Sequence, residues 1–551
     1  MLELFGEWGR VEHELGHSLR DNFLMPVRTV DNPKSFTPII AKRDGRRWAL
    51  VQGIEIGNIE ALTLPPDLEV NYIRPYFTFD TIETDNSIPQ NLTEAVQRIA
   101  DGEPDVAIDP YLPVGLAHQL SNAFRVTVNG HTDVESVRVR EVDRNWVSQR
   151  LAVGRRDAAE AVTRLLEKNP ARDKLKTFLE PRESRHFAAL DHTLSEADLA
   201  GVVISSRINV QEIAGIPLAS HDRPVAVVYP TGNNVAYVLE PAGRGTGSRY
   251  ESLGSALAAL LPTGRIGVEM EDMGVGVFNL LGLDARDTIP ADRLVRRWRD
   301  CLALHDLPYY ILAARTSAYA IDGALAYAAE QVKAKGAISE KRVDAVYFNR
   351  LHKHVEMSGL PVHVTRYMTN NHCGTRTLYP ANPTDFSINE EVQTLKIDSG
   401  CMIYDEEGYL LAVSDIARTL SFTDEAREIY PLIVDGVRRT LIPTAKAGAV
   451  AENVFAAGVD AIWNRRDELS SKRLAPDMSS LSETYKRDVG HLLGKNDLSH
   501  LRFTAGDRGV LEEGMVACLE YQWPIDGHAF AYEDTCLITP DGGLNFTSDE
   551  S

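Results

Sequence analysis

The chain has 551 residues, a hydrophobic content of 44% and a formal net charge of −21 at pH 7. Its length predicts about three domains. The acidic balance argues against nucleic acid and anionic membranes as partners, because both bind basic surfaces. We expect no membrane helix, since no stretch reaches the ~18 apolar residues required. We also expect no signal peptide, because the start lacks a basic region followed by an apolar one.

The cysteines are an odd, scattered set without a Cys-x-x-Cys motif: Cys301, Cys373, Cys401, Cys518 and Cys536. Such a set is typical of a reduced compartment rather than of a disulfide framework. The pattern therefore predicts a cytoplasmic location.

Two similar α/β units are predicted in the first part of the chain, at residues 1–183 and 184–300. Each has a hairpin, TPIIAKRDGRRWALVQG in the first unit and RPVAVVYPTGNNVAYVLEP in the second. Each hairpin is followed by a strand that leads into a helix, PDVAIDPYLPVGLAHQL and GRIGVEMEDMGVGVFNLL. We interpret the two units as a degenerate tandem duplication, joined by a linker at 179–186.

The segment HELGH, from His13 to His17, has the His-Glu-x-x-His spacing of a zinc-binding helix. A zinc site would need a cleft and a third ligand, and no third-histidine pattern follows. We interpret the segment as an amphipathic N-terminal helix.

Residues 301–551 predict an α+β domain with helices on one face of a curved antiparallel sheet. Two predicted hairpins in this domain each carry a pair of acidic residues. In GMVACLEYQWPIDGHAFAYEDTCLIT, Asp-Gly is a favoured two-residue turn, and closing there puts Glu520 directly opposite Glu533. In TLKIDSGCMIYDEEGYLLAVSDIARTLSF, closing at Asp-Glu-Glu-Gly puts Asp398 directly opposite Asp415.

Carboxylates placed in this way indicate a metal site. Directly opposite residues share a face, with Cβ atoms roughly 4.5–5.5 Å apart, so paired carboxylates require a proton or a cation between them. His491 lies between the two hairpins in the sequence. Four carboxylates and one imidazole suit a pair of divalent metals. The alternative, solvated acidic residues near turns, fits a single pair better than two symmetric pairs.

These residues and their neighbours resemble the pita-bread metallopeptidases, which include methionine aminopeptidase, aminopeptidase P, prolidase and creatinase. The matching strings are IDSG, GY…SDIART, HLLG, LEEGMVACLE and YEDTCLITPDGG. Residues 184–300 resemble the creatinase-type N-terminal domain. The resemblance implies a catalytic pita-bread domain at 301–551, preceded by two creatinase-N-like α/β domains at 1–183 and 184–300, as in three-domain aminopeptidase P.

The resemblance also implies the roles of individual residues. Two divalent ions, Mn²⁺, Co²⁺, Zn²⁺ or Fe²⁺, are expected to bind five ligands: Asp398, Asp415, His491, Glu520 and Glu533. Glu520 is also expected to transfer the proton during catalysis. His372 and His500 are the candidates for the two further catalytic histidines of the family.

The chain departs from the family pattern at four places. The loop between the two predicted aspartate ligands is six residues longer than in the usual pattern. Leu378 stands before Tyr379, where the family has a histidine, and His372 lies earlier. His500 is shifted from the place of the second family histidine, and Tyr532 replaces a basic residue before the last glutamate.

The predicted function is that of a metallohydrolase which cleaves an amide or peptide bond by a metal-bridging hydroxide, most like an Xaa-Pro aminopeptidase or prolidase. One alternative is a non-peptidase member of the same fold that acts on a small molecule as a C–N hydrolase or lyase. The missing histidine and the longer aspartate loop favour it. Another is an inactive binding module, against which the presence of all five ligands argues. The expected substrate is a short peptide or a small molecule. The resemblance alone implies a second copy of the chain as partner in a homodimer.

Overall fold

The residues that the structure describes fold around four β-sheets of six, seven, four and four strands. The computed structural model describes residues 1–17, 38–60, 62–74, 88–130, 132, 134, 136–180, 186–220, 224–242, 247–283, 288–378, 381–389, 391–392, 394–465, 467–468, 488–495, 499–525 and 528–549. Within these ranges, no helix combines the length and the apolar character that crossing a membrane requires.

The first unit is a six-stranded sheet in the order β4-β3-β2-β1-β5-β6 with helices around it. Its strands are β1 (Leu2–Phe5), β2 (Ile39–Arg43), β3 (Arg46–Gln52), β4 (Leu68–Ile73), β5 (Asp105–Ile108) and β6 (Arg125–Val128). Its helices are α1 (Trp8–Leu15), α2 (Ile56–Ile59), which follows a 3-10 turn (Gly53–Glu55), α3 (Leu92–Ala100) and α4 (Val114–Ser121).

The predicted N-terminal helix is present as α1, which ends at Leu15. Gly16 terminates it in the left-handed conformation, with φ of 72°. His17 therefore lies beyond the helix, and its Nε2 is 2.9 Å from the carbonyl oxygen of Thr63. His13 and His17 thus do not share a helix face, as a His-Glu-x-x-His zinc site requires.

The second unit is a seven-stranded sheet in the order β11-β7-β10-β9-β8-β12-β13. Its strands are β7 (Val137–Asp143), β8 (Leu199–Ile204), β9 (Ala226–Pro230), β10 (Val235–Pro241), β11 (Ser248–Tyr250), β12 (Arg265–Val268) and β13 (Thr288–Pro290). The helices from residue 144 to 301 are α5 (Arg144–Leu151), α6 (Arg155–Leu165), α7 (Arg172–Leu179), α8 (His186–Glu196), α9 (Arg207–Ala214), α10 (Leu253–Leu260), α11 (Val275–Leu280) and α12 (Asp292–Cys301).

The two sheets share one topology around their central strands. β1 pairs antiparallel with β2 and parallel with β5. In the same way, β8 pairs antiparallel with β9 and parallel with β12. The shared pairing supports the interpretation of a tandem duplication.

Several elements before the domain boundary predicted between residues 183 and 184 pack with the later units. β7 lies before that boundary and yet pairs with β10 of the second sheet. The helices α6 and α7 also lie before it, and their buried Ala158 and Leu175 belong to the core of the C-terminal region. We therefore propose that the first domain ends between β6 and β7.

Equivalent loops of the two units meet in a reciprocal contact. The backbone N–H of Val114 donates to the carbonyl of Met273 at 2.9 Å, and the N–H of Val275 donates to the carbonyl of Leu112 at 2.9 Å. These residues occupy matching positions in the repeated strand-to-helix step. The repeated step of one unit thus contacts the repeated step of the other.

The C-terminal unit has two four-stranded antiparallel sheets with helices packed against them, so the predicted α+β class is confirmed. Its strands are β14 (Val362–Cys373), β15 (Thr394–Asp405), β16 (Leu410–Val413), β17 (Ile416–Ser421), β18 (Gly490–Leu492), β19 (Val516–Ile525), β20 (His528–Thr539) and β21 (Gly542–Asn545). Its helical segments are α13 (Leu307–Lys333), α14 (Glu340–Ser358), a 3-10 turn (Gly374–Leu378), α15 (Asp424–Gly436), a π-helical turn (Val437–Leu441), α16 (Ile442–Thr444) and α17 (Ala451–Trp463).

A buried histidine between the two long helices predicts a pH dependence of stability. Nδ1 of His354 in α14 is 2.9 Å from the hydroxyl of Thr316 in α13. Burial and the nearby Arg315 charge lower the pKa of His354 to about 4. In the unfolded chain the pKa of the same group is about 6.5. The unfolded state therefore binds more protons between these values, and stability is lost as pH falls from about 6.5 to 4.

Lowering the pH from 7.5 to 4.5 should reduce the free energy of unfolding of both the wild-type protein and a His354→Gln variant. We expect the reduction to be about 2–3 kcal/mol smaller in His354→Gln. The measurement is urea unfolding at both pH values. The exposed His352 in the same helix provides the matched control, His352→Gln, which should leave the wild-type pH dependence unchanged. Equal slopes for wild type and His354→Gln would contradict the prediction.

Candidate metal centre

The site is built where the two sheets of the C-terminal unit meet. The hydroxyl of Thr419 in β17 donates to the carbonyl of Ala531 in β20 at 3.0 Å, and the N–H of Ala531 donates back to that hydroxyl at 2.8 Å. This reciprocal pair joins β17 to β20 without regular ladder bonds. The hairpins predicted to carry the acidic pairs thus lie side by side.

The register predicted for the second hairpin is confirmed. β19 and β20 pair antiparallel, with Glu520 directly opposite Glu533 and Ile525 opposite His528. Both glutamates are buried, at 3% and 1% exposure. The Asp-Gly turn from which this register was counted, residues 526–527, lies outside the described residues.

The register predicted for the first hairpin is wrong. Asp398 in β15 is opposite Ala417 in β17, not opposite Asp415. Asp415 follows the end of β16 and precedes β17, in a break between the two strands. The pairing shifts between Ile403 and Tyr404, so the loop does not close symmetrically. Because the displacement is two residues, it does not move the carboxylate to the opposite face.

Three of the predicted ligands converge. One ligand atom each of Asp415, His491 and Glu533 lies within 4.8 Å of the others, and all three residues are buried. Nε2 of His491 is 3.7 Å from Oδ2 of Asp415. Elsewhere among the residues that the structure describes, no further group of three such ligands is found.

The orientation of the histidine suits a ligand. Nδ1 of His491 is 2.8 Å from the carbonyl oxygen of Leu492. A carbonyl can only accept a hydrogen bond, so Nδ1 carries the proton and Nε2 keeps the lone pair that faces Asp415. Metal-binding histidines are commonly oriented in this way through their second nitrogen. The two carboxylates and the imidazole therefore fit a divalent ion.

The other two predicted ligands lie outside this group of three. Gln522 donates from its amide nitrogen to Oδ2 of Asp398 at 2.6 Å and to Oε2 of Glu520 at 3.1 Å. One carboxylate from each hairpin is thus held by a buried amide. The five predicted ligands occupy one region, but in two groups.

Comparison with known proteins connects this geometry to a family. Residues 313–540 match the model described as Metallopeptidase family M24. This match confirms the predicted resemblance to the metallopeptidase family over the C-terminal part of the chain. The match includes all five predicted metal ligands and His372 and His500.

The individual proteins that resemble this chain are distant relatives. A curated Xaa-Pro dipeptidase from Lactobacillus helveticus is 30% identical over 145 residues, which are 26% of this chain and 34% of the relative. The match thus spans about a third of that relative's length. An X-prolyl aminopeptidase from Caenorhabditis elegans, titled a cytosolic enzyme with a di-nuclear active site, is 9% identical with a TM-score of 0.54. The alignment covers 91% of this chain and 78% of the Caenorhabditis elegans chain, and the two proteins share the fold. The prolidase from Pyrococcus horikoshii OT3 is 18% identical over 67% of this chain and 99% of its own, with a TM-score of 0.49.

The candidate catalytic histidines of the M24 domain occupy different surroundings. His372 is fully buried on β14, where it lies directly opposite Lys396 of β15. Each of these residues is two positions along its strand from the opposed pair Asn370 and Asp398. His372 therefore shares a sheet face with the Asp398 carboxylate. Nδ1 of His500 is 2.6 Å from a carboxylate oxygen of the buried Asp300 in α12. Neither histidine belongs to the group of three converging ligands.

Sequence reasoning missed three polar residues beside the predicted ligands. Gln522 stands two residues after Glu520, and Lys396 stands two residues before Asp398. Asn370, on β14, is directly opposite Asp398. The period-two alternation of a strand places such neighbours on the ligand face. That signal was available in the sequence for the first two residues.

Proposed function

We propose that this chain is a metal-dependent hydrolase that cleaves the amide bond of short peptides, with proline preferred in the second position. The observation that carries the proposal is the convergence of Asp415, His491 and Glu533 on one buried point. The M24 match supports metallohydrolase chemistry. The proline preference follows the names of the relatives, an Xaa-Pro dipeptidase and an X-prolyl aminopeptidase.

The residues of the chain would perform distinct parts of the reaction. A bound divalent ion would supply a water of lowered pKa and polarise the scissile carbonyl. Glu520, next to the converging ligands in the hairpin, would accept a proton from the attacking water and pass it to the leaving amide nitrogen. The bond from carbonyl carbon to water oxygen forms as the C–N bond breaks. Gln522, within 3.1 Å of Glu520, would hold that carboxylate in position.

A second candidate is hydrolysis or elimination of a small molecule by the same centre. Its support is Leu378, a buried residue in the 3-10 turn where the M24 pattern has a histidine. Loss of that histidine removes a group expected to assist peptide binding and proton transfer. The candidate predicts metal binding without turnover of any Xaa-Pro peptide.

The test is a panel of Xaa-Pro dipeptides and Xaa-Pro tripeptides, assayed with Mn²⁺, Co²⁺ or Zn²⁺ and after chelation. We expect turnover that chelation abolishes and that His491→Ala reduces by about 10³-fold, because several kcal/mol of electrostatic stabilisation are lost. His352→Ala is the matched control, since His352 is an exposed histidine of α14. It should retain wild-type turnover.

Absence of turnover with the metal bound would refute peptidase activity and favour the small-molecule candidate. Absence of bindable metal would favour the inactive binding module. The homodimer and the cytoplasmic location stay predictions. Size-exclusion chromatography with light scattering would test the first of these.

A further inference from the structure

A buried glutamine links the two predicted ligands that do not converge with the others. The amide nitrogen of Gln522 is 2.6 Å from Oδ2 of Asp398 and 3.1 Å from Oε2 of Glu520. All three side chains are buried, at 3%, 6% and 3% exposure. Oδ2 of Asp398 also faces the amide nitrogen of Asn370 at 3.5 Å. Carboxylate lone pairs are therefore directed at amide protons.

The orientation of the glutamine amide is fixed by a lysine. Nζ of Lys396 donates to Oε1 of Gln522 at 3.0 Å. An ammonium group only donates, so the amide oxygen must face Lys396 and the amide nitrogen must face the two carboxylates. Lys396 is itself buried, at 1% exposure. The amide thus cannot turn its oxygen toward a cation between Asp398 and Glu520 without losing the lysine contact.

The amide lies where an ion bound by Asp398 and Glu520 would need space and lone pairs. Asp398 and Glu520 are both absent from the group formed by Asp415, His491 and Glu533. We propose that the centre binds one divalent ion, at those three residues, and that Gln522 replaces a second ion by linking Asp398 to Glu520. Gln522 is then a positioning residue, and Lys396 orients it. This inference rests on the metal centre of the proposed function.

The replacement has a physical basis. Two carboxylates brought together in a buried site repel each other unless a cation or hydrogen-bond donors separate them. The two protons of a glutamine amide can serve one carboxylate each. On the far side of the amide, Nζ of Lys396 donates to the amide oxygen. The hairpins are thereby held together at this point without metal.

The experiment measures the Mn²⁺ content of the full-length protein after dialysis against MnCl₂, together with its electron paramagnetic resonance spectrum. We expect one ion per chain and the spectrum of isolated Mn²⁺ for the wild-type protein. Gln522→Glu should raise the content to two ions and give the spectrum of coupled ions. The new carboxylate can still accept from Lys396, but it donates nothing to Asp398 or Glu520, so those groups need a cation.

Gln149→Glu is the matched control, because Gln149 is exposed in α5, and it should leave one ion bound. Gln522→Ala, which removes the amide without adding charge, replaces Gln522→Glu if that variant fails to fold, and it should also bind a second ion. Two ions in the wild-type protein, or one in every folded Gln522 variant, would overturn the inference. One bound ion without peptide turnover would refute the proposed function alone. No bound ion would refute both.

Discussion

Replacing Asp415 by asparagine is expected to lower the affinity for divalent metal by about 10³-fold and to lower kcat/KM by at least as much. Oδ2 of Asp415 is 3.7 Å from Nε2 of His491 and belongs with it to the group that includes Glu533. An amide has the same shape but no charge, and its N–H₂ would direct protons at the other two ligands. The variant therefore tests charge and lone pairs with little change in packing.

Isothermal calorimetry with Mn²⁺ and peptide turnover measure the two effects independently. Asp541→Asn is the control, because its side chain is 83% exposed and its nearest ion-pair partner, Lys174, is 3.7 Å away. That exchange should change neither quantity. Wild-type Mn²⁺ affinity in a folded Asp415→Asn protein would show that the group of three does not bind the metal.

The contrast between the two hairpins shows which part of the site could be predicted from local chemistry. In the second hairpin, a favoured two-residue turn fixes the register. Counting outward from that turn correctly paired Glu520 with Glu533. Period-two alternation then decides the face, so one short motif determined the positions of two ligands.

In the first hairpin, counting residues outward from the turn predicted the wrong register because the loop does not close symmetrically. Oδ1 of Asp405 accepts the N–H groups of Glu407 and Tyr409, at 3.0 and 2.9 Å, which closes the loop from one side. Gln211 of α9 then exchanges two hydrogen bonds with the backbone of Leu410, at 2.8 and 2.9 Å. A buried side chain from another unit thus replaces a hairpin partner. No local sequence pattern predicts that contact.

The domain architecture was predictable from repeated motifs, but the limits of the units were not. The hairpin and strand-to-helix patterns correctly indicated two related α/β units. β7 precedes the predicted linker, and no repeated motif marks it as a strand of the second sheet. Its assignment depends on pairing with β10, a contact between residues about 100 positions apart in the chain.

Replacing Arg418 by methionine is expected to lower the free energy of unfolding by about 3–5 kcal/mol. The guanidinium donates to the carboxylate of Asp534 at 2.6 Å and lies over the ring of Tyr532, 4.2 Å from its centroid. Burial alone would lower the pKa of Arg418, but the Asp534 charge and hydrogen bond, together with the neighbouring tyrosines, raise it. Because Asp534 is fully buried, loss of the arginine leaves its carboxylate with the more distant Arg438, 3.7 Å away, in place of the closer cation.

Urea unfolding of three variants separates this cause from a loss of packing. Arg427→Met is the control, since Arg427 is 59% exposed, and it should change stability by less than about 1 kcal/mol. Combining Arg418→Met with Asp534→Asn should restore part of the loss, because the charge that needed a partner is removed. A double variant no more stable than Arg418→Met would contradict this explanation.

The same arginine connects stability to the metal centre. It also donates to the backbone carbonyl of Glu533 at 2.5 Å, so it holds the strand from which that ligand projects. We therefore expect Arg418→Met to weaken Mn²⁺ binding in the folded protein, whereas Arg427→Met should not. The double variant should recover stability without recovering the affinity, because Asp534→Asn leaves the contact to the Glu533 carbonyl unmade. The effect on metal affinity would thus be separable from the effect on unfolding.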